Sequence, residues 1–377
     1  MKKLYFIFFI AIICSCKDQK SANHALKAEG KKVNIENAEG FSIEKFEGYS
    51  ILKVKTPWPE AEKPLTYLLA DENAEIPENI EYDEKIQVPV ESIVVTSTTH
   101  IPALEALNEE SSLVGFPGLN YVSSTKTRKL ISEGKIAELG QNENLNTEVL
   151  INTNPDLVVG FAINGANKAL VTVKKTGIPV IYNGDWTEQS PLGKAEWIKF
   201  FGALFGKEKK AAEIFNTIKK DYLKAREVAA TSTNRPTVIT GSMFKDQWYM
   251  PYGNSWQAQF FKDANANYLY SETKGNGSLS LSFESVLNKA EDADFWISSG
   301  QFTSYEQLLD QSPHYQQFKA VRDKNVYSVS LSKGETGGIL FYELGPQRPD
   351  LVLKDLISIF HPKLLENYEP VFYKPLQ

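Results

Sequence analysis

Three observations predict an α/β protein of two lobes, each with a central, mostly parallel sheet, joined by a single bridging helix behind an N-terminal β-hairpin extension. From Glu91 onward, short apolar runs alternate with amphipathic helical stretches, the pattern of parallel sheets covered by helices. Between Pro191 and Phe205 a helix-period stripe of Trp197, Phe200, Phe201, Leu204 and Phe205 interrupts that alternation. An echo then recurs on either side of it. Glu148, Asn152 and Asp156 precede the apolar run Leu157–Val159, and Glu284, Asn288 and Asp292 precede Phe295–Ile297 at the same spacing. The length of 377 residues suits two units at roughly 100–200 residues each.

The chain opens with Met1-Lys2-Lys3 and an apolar run from Leu4 to Ile13, long enough for a secretory signal but about half of what a membrane-spanning helix needs. Ile13-Cys14-Ser15-Cys16 follows and resembles a bacterial lipobox, so residues 1–16 read as lipoprotein signal and lipobox, with Cys16 as the lipidated residue. Residues 17–33 read as a polar, flexible tether. Both cysteines of the chain, Cys14 and Cys16, lie within residues 1–16, so no disulfide is expected in the mature protein. Removal of residues 1–15 takes Lys2 and Lys3 away, leaving 39 basic against 47 acidic residues, a net charge of −8. That balance leaves no basic field for nucleic acid or anionic lipid, so attachment to the membrane is expected only through the lipid. Periplasmic face and cell surface both remain open.

Residues 34–190 are assigned to the N-terminal lobe. Its first part, 34–90, reads as hairpin strands over Phe41–Phe46, Tyr49–Lys55 and Leu65–Leu69, broken by Gly48, Pro57, Pro59 and Pro64. Strands are then expected at Ser92–Ser97, Leu113–Phe116, Leu157–Phe161 and Ile178–Tyr182, with helices from Pro102 and over 125–133, 147–153 and 166–176. Residues 191–206 are the expected bridging helix and 207–377 the C-terminal lobe. That lobe has a helix over 207–228, strands at Thr237–Thr240, Trp248–Tyr252, Phe295–Ser298 and Val326–Leu331, helices over 255–263, 283–290, 304–310 and 315–321, and a last helix from Arg348 to Phe360.

Chemistry-bearing motifs are sparse. No G-x-x-x-x-G-K-[ST] loop, H-E-x-x-H pair or G-x-S-x-G elbow occurs, and the mature chain has no cysteine pair. The four histidines are scattered along the chain, whereas a bare zinc or manganese binder brings several ligands to one site. No metal-ligating set, cofactor or catalytic residue is assigned, and the chain is read as not an enzyme.

Several segments, in this order, resemble one family: the helix-bridged, bilobed substrate-binding lipoproteins and periplasmic binding proteins of ABC importers for iron-siderophores, haem and cobalamin. They are Val94-Val95-Thr96-Ser97-Thr98-Thr99, Thr147-Glu148 through Pro155-Asp156-Leu157-Val158, Gly177-Ile178-Pro179-Val180, Leu204-Phe205-Gly206-Lys207-Glu208 and Arg348-Pro349-Asp350-Leu351-Val352-Leu353. The resemblance runs from about Val88 onward. It implies two Rossmann-like lobes, a metal chelate captured in the cleft between them, delivery to a membrane permease with its ATPase subunits, and a monomeric receptor. It also implies that one glutamate per lobe docks on the permease, and the matching positions are Glu148 and Glu284. As first-turn acids they equally favour their helix dipoles.

In doubly wound lobes a ligand meets the loops at the carboxyl ends of strands. Thr98, Thr99, His100, Tyr121, Phe161, Trp186, Trp248, Gln301, Phe302 and Tyr342 are the candidates drawn from those loops. The aromatics among them offer stacking faces for a corrin, porphyrin or catechol, and some are equally expected as core plugs. His100 lies within reach of an axial metal position, although a loop histidine beside a helix start more commonly hydrogen-bonds. Basic residues are few near these loops, Lys126, Arg128, Lys245 and Lys333 being the nearest, which tilts the ligand away from a trianionic triscatecholate towards cobalamin or a hydroxamate chelate. The alternative reading is a non-transport enzyme, such as a chelate-processing lipoprotein, on the same scaffold.

Overall fold

The computed structural model describes residues 30–163, 165, 167–298 and 300–377. Cys16, the signal, most of the tether, Asn164 and Ser299 lie outside them.

The extension is a five-stranded sheet of β1 (Lys31–Lys32), β2 (Phe41–Lys45), β3 (Tyr49–Val54), β4 (Leu65–Ala70) and β5 (Glu84–Gln87). The first three pairings are antiparallel and β4–β5 is parallel, so the expected hairpins extend into a mixed sheet. Lys31 and Lys32 pair with Lys45 and Glu44, so the last residues assigned to the tether belong to this sheet. Period-2 alternation decides what it buries: Phe41, Ile43, Leu52, Val54, Tyr67, Leu69 and Ile86 all join the hydrophobic core of the N-terminal lobe. Phe41 packs on Trp197 at 4.6 Å between ring centroids. The extension is therefore part of the lobe rather than an appendage.

The N-terminal lobe proper contains β6 (Ile93–Val95), β7 (Leu113–Phe116), β8 (Ala137–Glu138), a short hairpin of β9 (Gly140–Gln141) and β10 (Asn144–Leu145), β11 (Leu157–Gly160) and β12 (Val180–Tyr182). Its main sheet is parallel throughout, in the order β12-β11-β6-β7-β8. Helices α1 (Ile101–Leu107), α2 (Thr125–Ser132), α3 (Thr147–Thr153) and α4 (Lys168–Lys174) connect the strands.

Residues 191–206 fold as two short helices, α5 (Pro191–Glu196) and α6 (Ile198–Leu204), meeting at Trp197. The expected bridging helix is thereby corrected, for the stripe that marked it, Trp197 to Phe205, is buried in the N-terminal core. The element that crosses is α7 (Glu208–Ala230), whose 23 residues span about 34 Å at 1.5 Å per residue. Ala211, Phe215 and Ile218 enter the N-terminal core, and Tyr222, Ala225 and Ala229, continuing the same stripe, enter the other. Two cores built on one helix face cannot swing apart without exposing that face.

The C-terminal lobe adds β13 (Thr237–Thr240), β14 (Ser242–Phe244), β15 (Gln247–Pro251), β16 (Asn267–Tyr268), β17 (Ser278–Leu281), β18 (Phe295–Ile297), β19 (Val326–Ser328) and β20 (Lys374–Pro375). The helices are α8 (Trp256–Asp263), α9 (Phe283–Ala290), α10 (Tyr305–Gln311), α11 (Lys319–Arg322), α12 (Leu340–Leu344) and α13 (Pro349–Phe360). The main sheet runs β16-β13-β18-β19-β20, with only β20 antiparallel, and β14, β15 and β17 form a separate antiparallel sheet. Matching first strands, β6 to β13, makes β7 equivalent to β16, β11 to β18 and β12 to β19. The sequence echo is therefore a structural one, because α3 feeds β11 and α9 feeds β18.

Buried carboxylates hold the joints. Glu196 is fully buried and accepts the backbone amides of Glu36, Asn37 and Ala38 at 2.6–3.0 Å, with the Lys199 ammonium 2.6 Å away. Glu188 likewise accepts the amides of Glu39 and Gly40 and the Trp197 indole N–H. Replacing Glu196 with alanine leaves the buried Lys199 ammonium with the Asn34 carbonyl but no counter-charge, and takes from three amides the carboxylate they share. Glu196→Ala is expected to lower unfolding stability by about 3–5 kcal/mol, measured by chemical denaturation.

Candidate functional site

The loops that leave the carboxyl ends of the parallel strands converge from both lobes on one cleft of about 420 Å³. The loop after β6 contributes Thr96, Ser97 and Thr98, that after β7 Pro117 and Tyr121, and that after β11 Phe161. The β9–β10 hairpin contributes Asn142. From the C-terminal lobe come Gln301, after β18, and Gly337, Gly338, Ile339 and Tyr342 from the segment leading into α12. Local bonds shape this wall. Thr96 accepts the Phe161 amide on its hydroxyl and the Asn142 side-chain amide on its carbonyl, fixing three loops to one another.

The lining is aromatic and uncharged. Phe116, Tyr121, Phe161 and Tyr342 give π faces, while Thr96, Ser97, Thr98, Asn142 and Gln301 give hydroxyls and amides. Among the described residues the lining holds no Asp, Glu, Lys, Arg or His. Nor does any group of three His, Cys, Asp or Glu side chains suited to a metal ion occur among them. Of the lining aromatics Tyr121 and Tyr342 are the exposed ones, at 64% and 59%.

Five of the ten residues expected from the sequence, Thr98, Tyr121, Phe161, Gln301 and Tyr342, line this cleft. Trp186 stands behind it, edge-on to Phe161 at 5.8 Å. Thr99 turns away and donates its hydroxyl to Asp185 at 2.9 Å. Phe302 packs on the C-terminal core beside Tyr315.

Two placements correct the expectation outright. Trp248 is fully buried against Trp296, Tyr315 and Phe318 and donates to the Thr240 carbonyl. Strand alternation explains it: Met243 pairs with Trp248 on the inner face, while Phe244 and Tyr249 fall on the outer one and are 65% and 42% exposed. Period 2 was readable in the sequence and marks Phe244 as the outward-facing residue, although it too lies outside the cleft lining. Asn142 was signalled only by the turn residues around it.

His100 is the second correction. It is fully buried, its ring tilted on Phe201 at 5.4 Å, and neither ring nitrogen has a partner among the described residues. It sits beneath the lobe junction, away from any axial position in the cleft. Nearby, Lys194 donates to the carbonyls of Asp185 and Trp186 and lies 5.0 Å from the Trp256 ring of the opposite lobe; burial pushes its ammonium down to about 8.

Burial also pushes the His100 imidazole below its usual range, Asp185 opposing weakly. In the unfolded chain the imidazole titrates near 6.5, so its protonation there destabilises the fold progressively as pH falls below that value. His100→Phe is expected to retain more of its neutral-pH stability at about pH 5.5 than the wild type does, read as the change in denaturation midpoint between the two pH values.

Glu148 and Glu284 are exposed in the first turns of α3 and α9, capped by Asn146 and Ser282. They occupy equivalent places in the two lobes.

Comparison with known proteins agrees with this architecture. An uncharacterized lipoprotein of Methanocaldococcus jannaschii is 29% identical over 297 residues, 76% of this chain and 69% of that one. A possible iron-binding, periplasmic solute-binding protein of Staphylococcus epidermidis superposes with a TM-score of 0.56 at 22% identity, covering 72% of this chain and 99% of its own. A periplasmic heme binding protein of Pseudomonas aeruginosa gives 0.56 at 18% identity, over 76% and 98%. The family model described as periplasmic binding protein matches residues 93–330, from β6 past β19, and the chain belongs to that family.

Proposed function

We propose that this protein is the solute-binding component of an ABC importer, which captures an uncharged or weakly charged metal complex in the interlobe cleft and hands it to a membrane permease. The observation that carries this reading is the lining: four aromatic rings and a set of hydroxyls and amides, with no ionisable group except tyrosine. A metal enters such a cleft with its coordination sphere already filled, because the walls offer stacking and hydrogen bonds rather than carboxylates or imidazoles. A trianionic ferric triscatecholate would find no cation on these walls to offset its charge. Cobalamin or a neutral ferric hydroxamate meets no such cost. The relatives described as iron-binding and heme-binding support the class of cargo.

The lipobox reading of Cys16, together with a relative described as a lipoprotein, supports attachment to the envelope by lipid. Glu148 and Glu284 supply the docking contacts on this reading, since two exposed carboxylates at equivalent points of two lobes orient a large partner by charge complementarity.

Tryptophan fluorescence titrated with cyanocobalamin, haemin, a neutral ferric hydroxamate and a ferric triscatecholate tests the cargo. Binding of a neutral complex is expected, with Phe161→Ala weakening it by about tenfold. Preference for the triscatecholate, or no binding across the panel, would sink the proposal, and chemical conversion of a bound chelate would favour the enzymatic alternative.

Docking has its own test in transport. Glu148→Lys with Glu284→Lys is expected to abolish uptake of the bound complex in cells while its affinity for the purified protein stays within about twofold.

A further inference from the structure

α12 stands at the junction of the two lobes. Tyr342 lines the cleft, but the next side chain, Glu343, is 2% exposed and reaches into the opposite lobe. Its Oε2 accepts the Ser123 amide at 2.6 Å and its Oε1 accepts the Ser124 amide at 2.9 Å. Ser123 follows Tyr121, the open tyrosine of the N-terminal wall, by two residues. One carboxylate therefore ties together the two segments that carry the facing tyrosines.

The surroundings reinforce the tie. The Thr336 hydroxyl donates to the Asn120 carbonyl at 2.8 Å. Gly334 and Gly338 lie so close to the backbone of Ser123 and Tyr121 that a Cβ at either would collide with it. The hydroxyls of Ser124 and Thr127 both donate to Glu105 on α1, which holds the receiving turn from its other side. The charged and titratable side chains on the elements packed here are Tyr121, Glu105, Lys126, Arg128, Lys129 and His100 from the N-terminal lobe and Lys333, Glu335 and Tyr342 from the segment that leads into and forms α12. Arg348 follows α12 and is paired with Asp350. Burial, helped by Glu105 and opposed by the two amides, pushes the Glu343 carboxyl up to about 7.

We propose that Glu343 is a positioning residue for ligand capture: its carboxylate fixes the separation of Tyr121 and Tyr342, and with it the aperture that admits a flat ligand face. The ligand-capture part rests on the solute-binding reading above; the contact itself does not. A raised carboxyl favours the joined arrangement when protonated. Its contribution is therefore complete below the free value of 4.5 and is lost as pH rises through about 7.

Hydrogen exchange on the ligand-free full chain reads the contact directly. The amides of Ser123 and Ser124 are expected to be protected in the wild type and to exchange at least about tenfold faster in Glu343→Ala, with β13 and β18 unchanged as a control for folding. Glu343→Gln keeps one acceptor of two and is expected to release one of the amides. Equal protection in wild type and Glu343→Ala would overturn the proposal whatever the ligand proves to be.

Titration with cyanocobalamin and a neutral ferric hydroxamate between about pH 5.5 and 8 reads the aperture. Wild-type affinity is expected to fall as pH rises, and Glu343→Ala, which removes both the acceptors and the titration, to bind several-fold more weakly with a flat profile. Unchanged affinity and profile in Glu343→Ala would refute the positioning role. If the wild type bound neither probe, the solute-binding reading and the aperture role would fall together, leaving the contact to be judged by exchange alone.

Discussion

The arrangement depends on buried carboxylates that accept backbone amides where separate segments of the chain meet. Amides at segment ends have no ladder or helix partner, and leaving them buried and unpaired is expensive. A carboxylate offers several acceptor sites and makes charge-assisted bonds, which offset the cost of its own burial. Glu196 and Glu188 fix the extension to α5 and α6 in this way. Asp355 gathers the amides of Val371, Phe372 and Tyr373 and the Tyr368 hydroxyl, docking the C-terminal segment whose β20 completes the second sheet. Glu343 performs the same operation across the lobes.

Those joints determine what can move. α7 contributes one continuous apolar face to both cores, so a large rotation between lobes would expose Ile218 or Tyr222 to water. Lys194 over Trp256 adds a contact across the junction on the α5 side. What is left to adjust at the cleft rim is the orientation of the open Tyr121 and Tyr342 rings, since Glu343 holds together the segments that bear them. Rigid lobes with adjustable rims suit a receptor that distinguishes cargo by its face and outline.

Much of the architecture was legible because it depends on local pattern. The strand and helix alternation after Glu91 marks seven of the nine parallel strands and misses β8 and β16, which are only two residues long, while the Glu-Asn-Asp echo marks equivalent strands, β11 and β18. The misplacements have equally physical causes. The stripe from Trp197 to Phe205 has a helical period, but period alone does not say which core a face enters, and it was α7 that crossed. Trp248 drew attention as a large aromatic at a strand end, yet its place opposite Met243 turns it inward and Phe244 outward. Glu343 carried no sequence signal at all, because its partners lie 219 and 220 residues away and a carboxylate that accepts amides leaves no motif.

The acidic balance of the chain takes on a different meaning once the carboxylates are located. A net charge of −6 suggests a negative surface, but Glu188, Glu196, Glu343 and Asp355 are buried and bonded to amides, contributing to cohesion more than to the field outside. The cleft, by contrast, has neither sign of charge on its walls. Charge is placed where segments must be joined and withheld from the cleft walls, so on the proposed function selection there falls to shape, stacking and the few hydroxyls and amides around it. A neutral lining discriminates poorly between similar uncharged outlines, because losing one contact on an apolar wall changes affinity only modestly. The width of the opening then becomes the strongest remaining filter. On this molecule that width is bounded by Tyr121 on one lobe and Tyr342 on the other, with a single buried carboxylate between the segments that bear them.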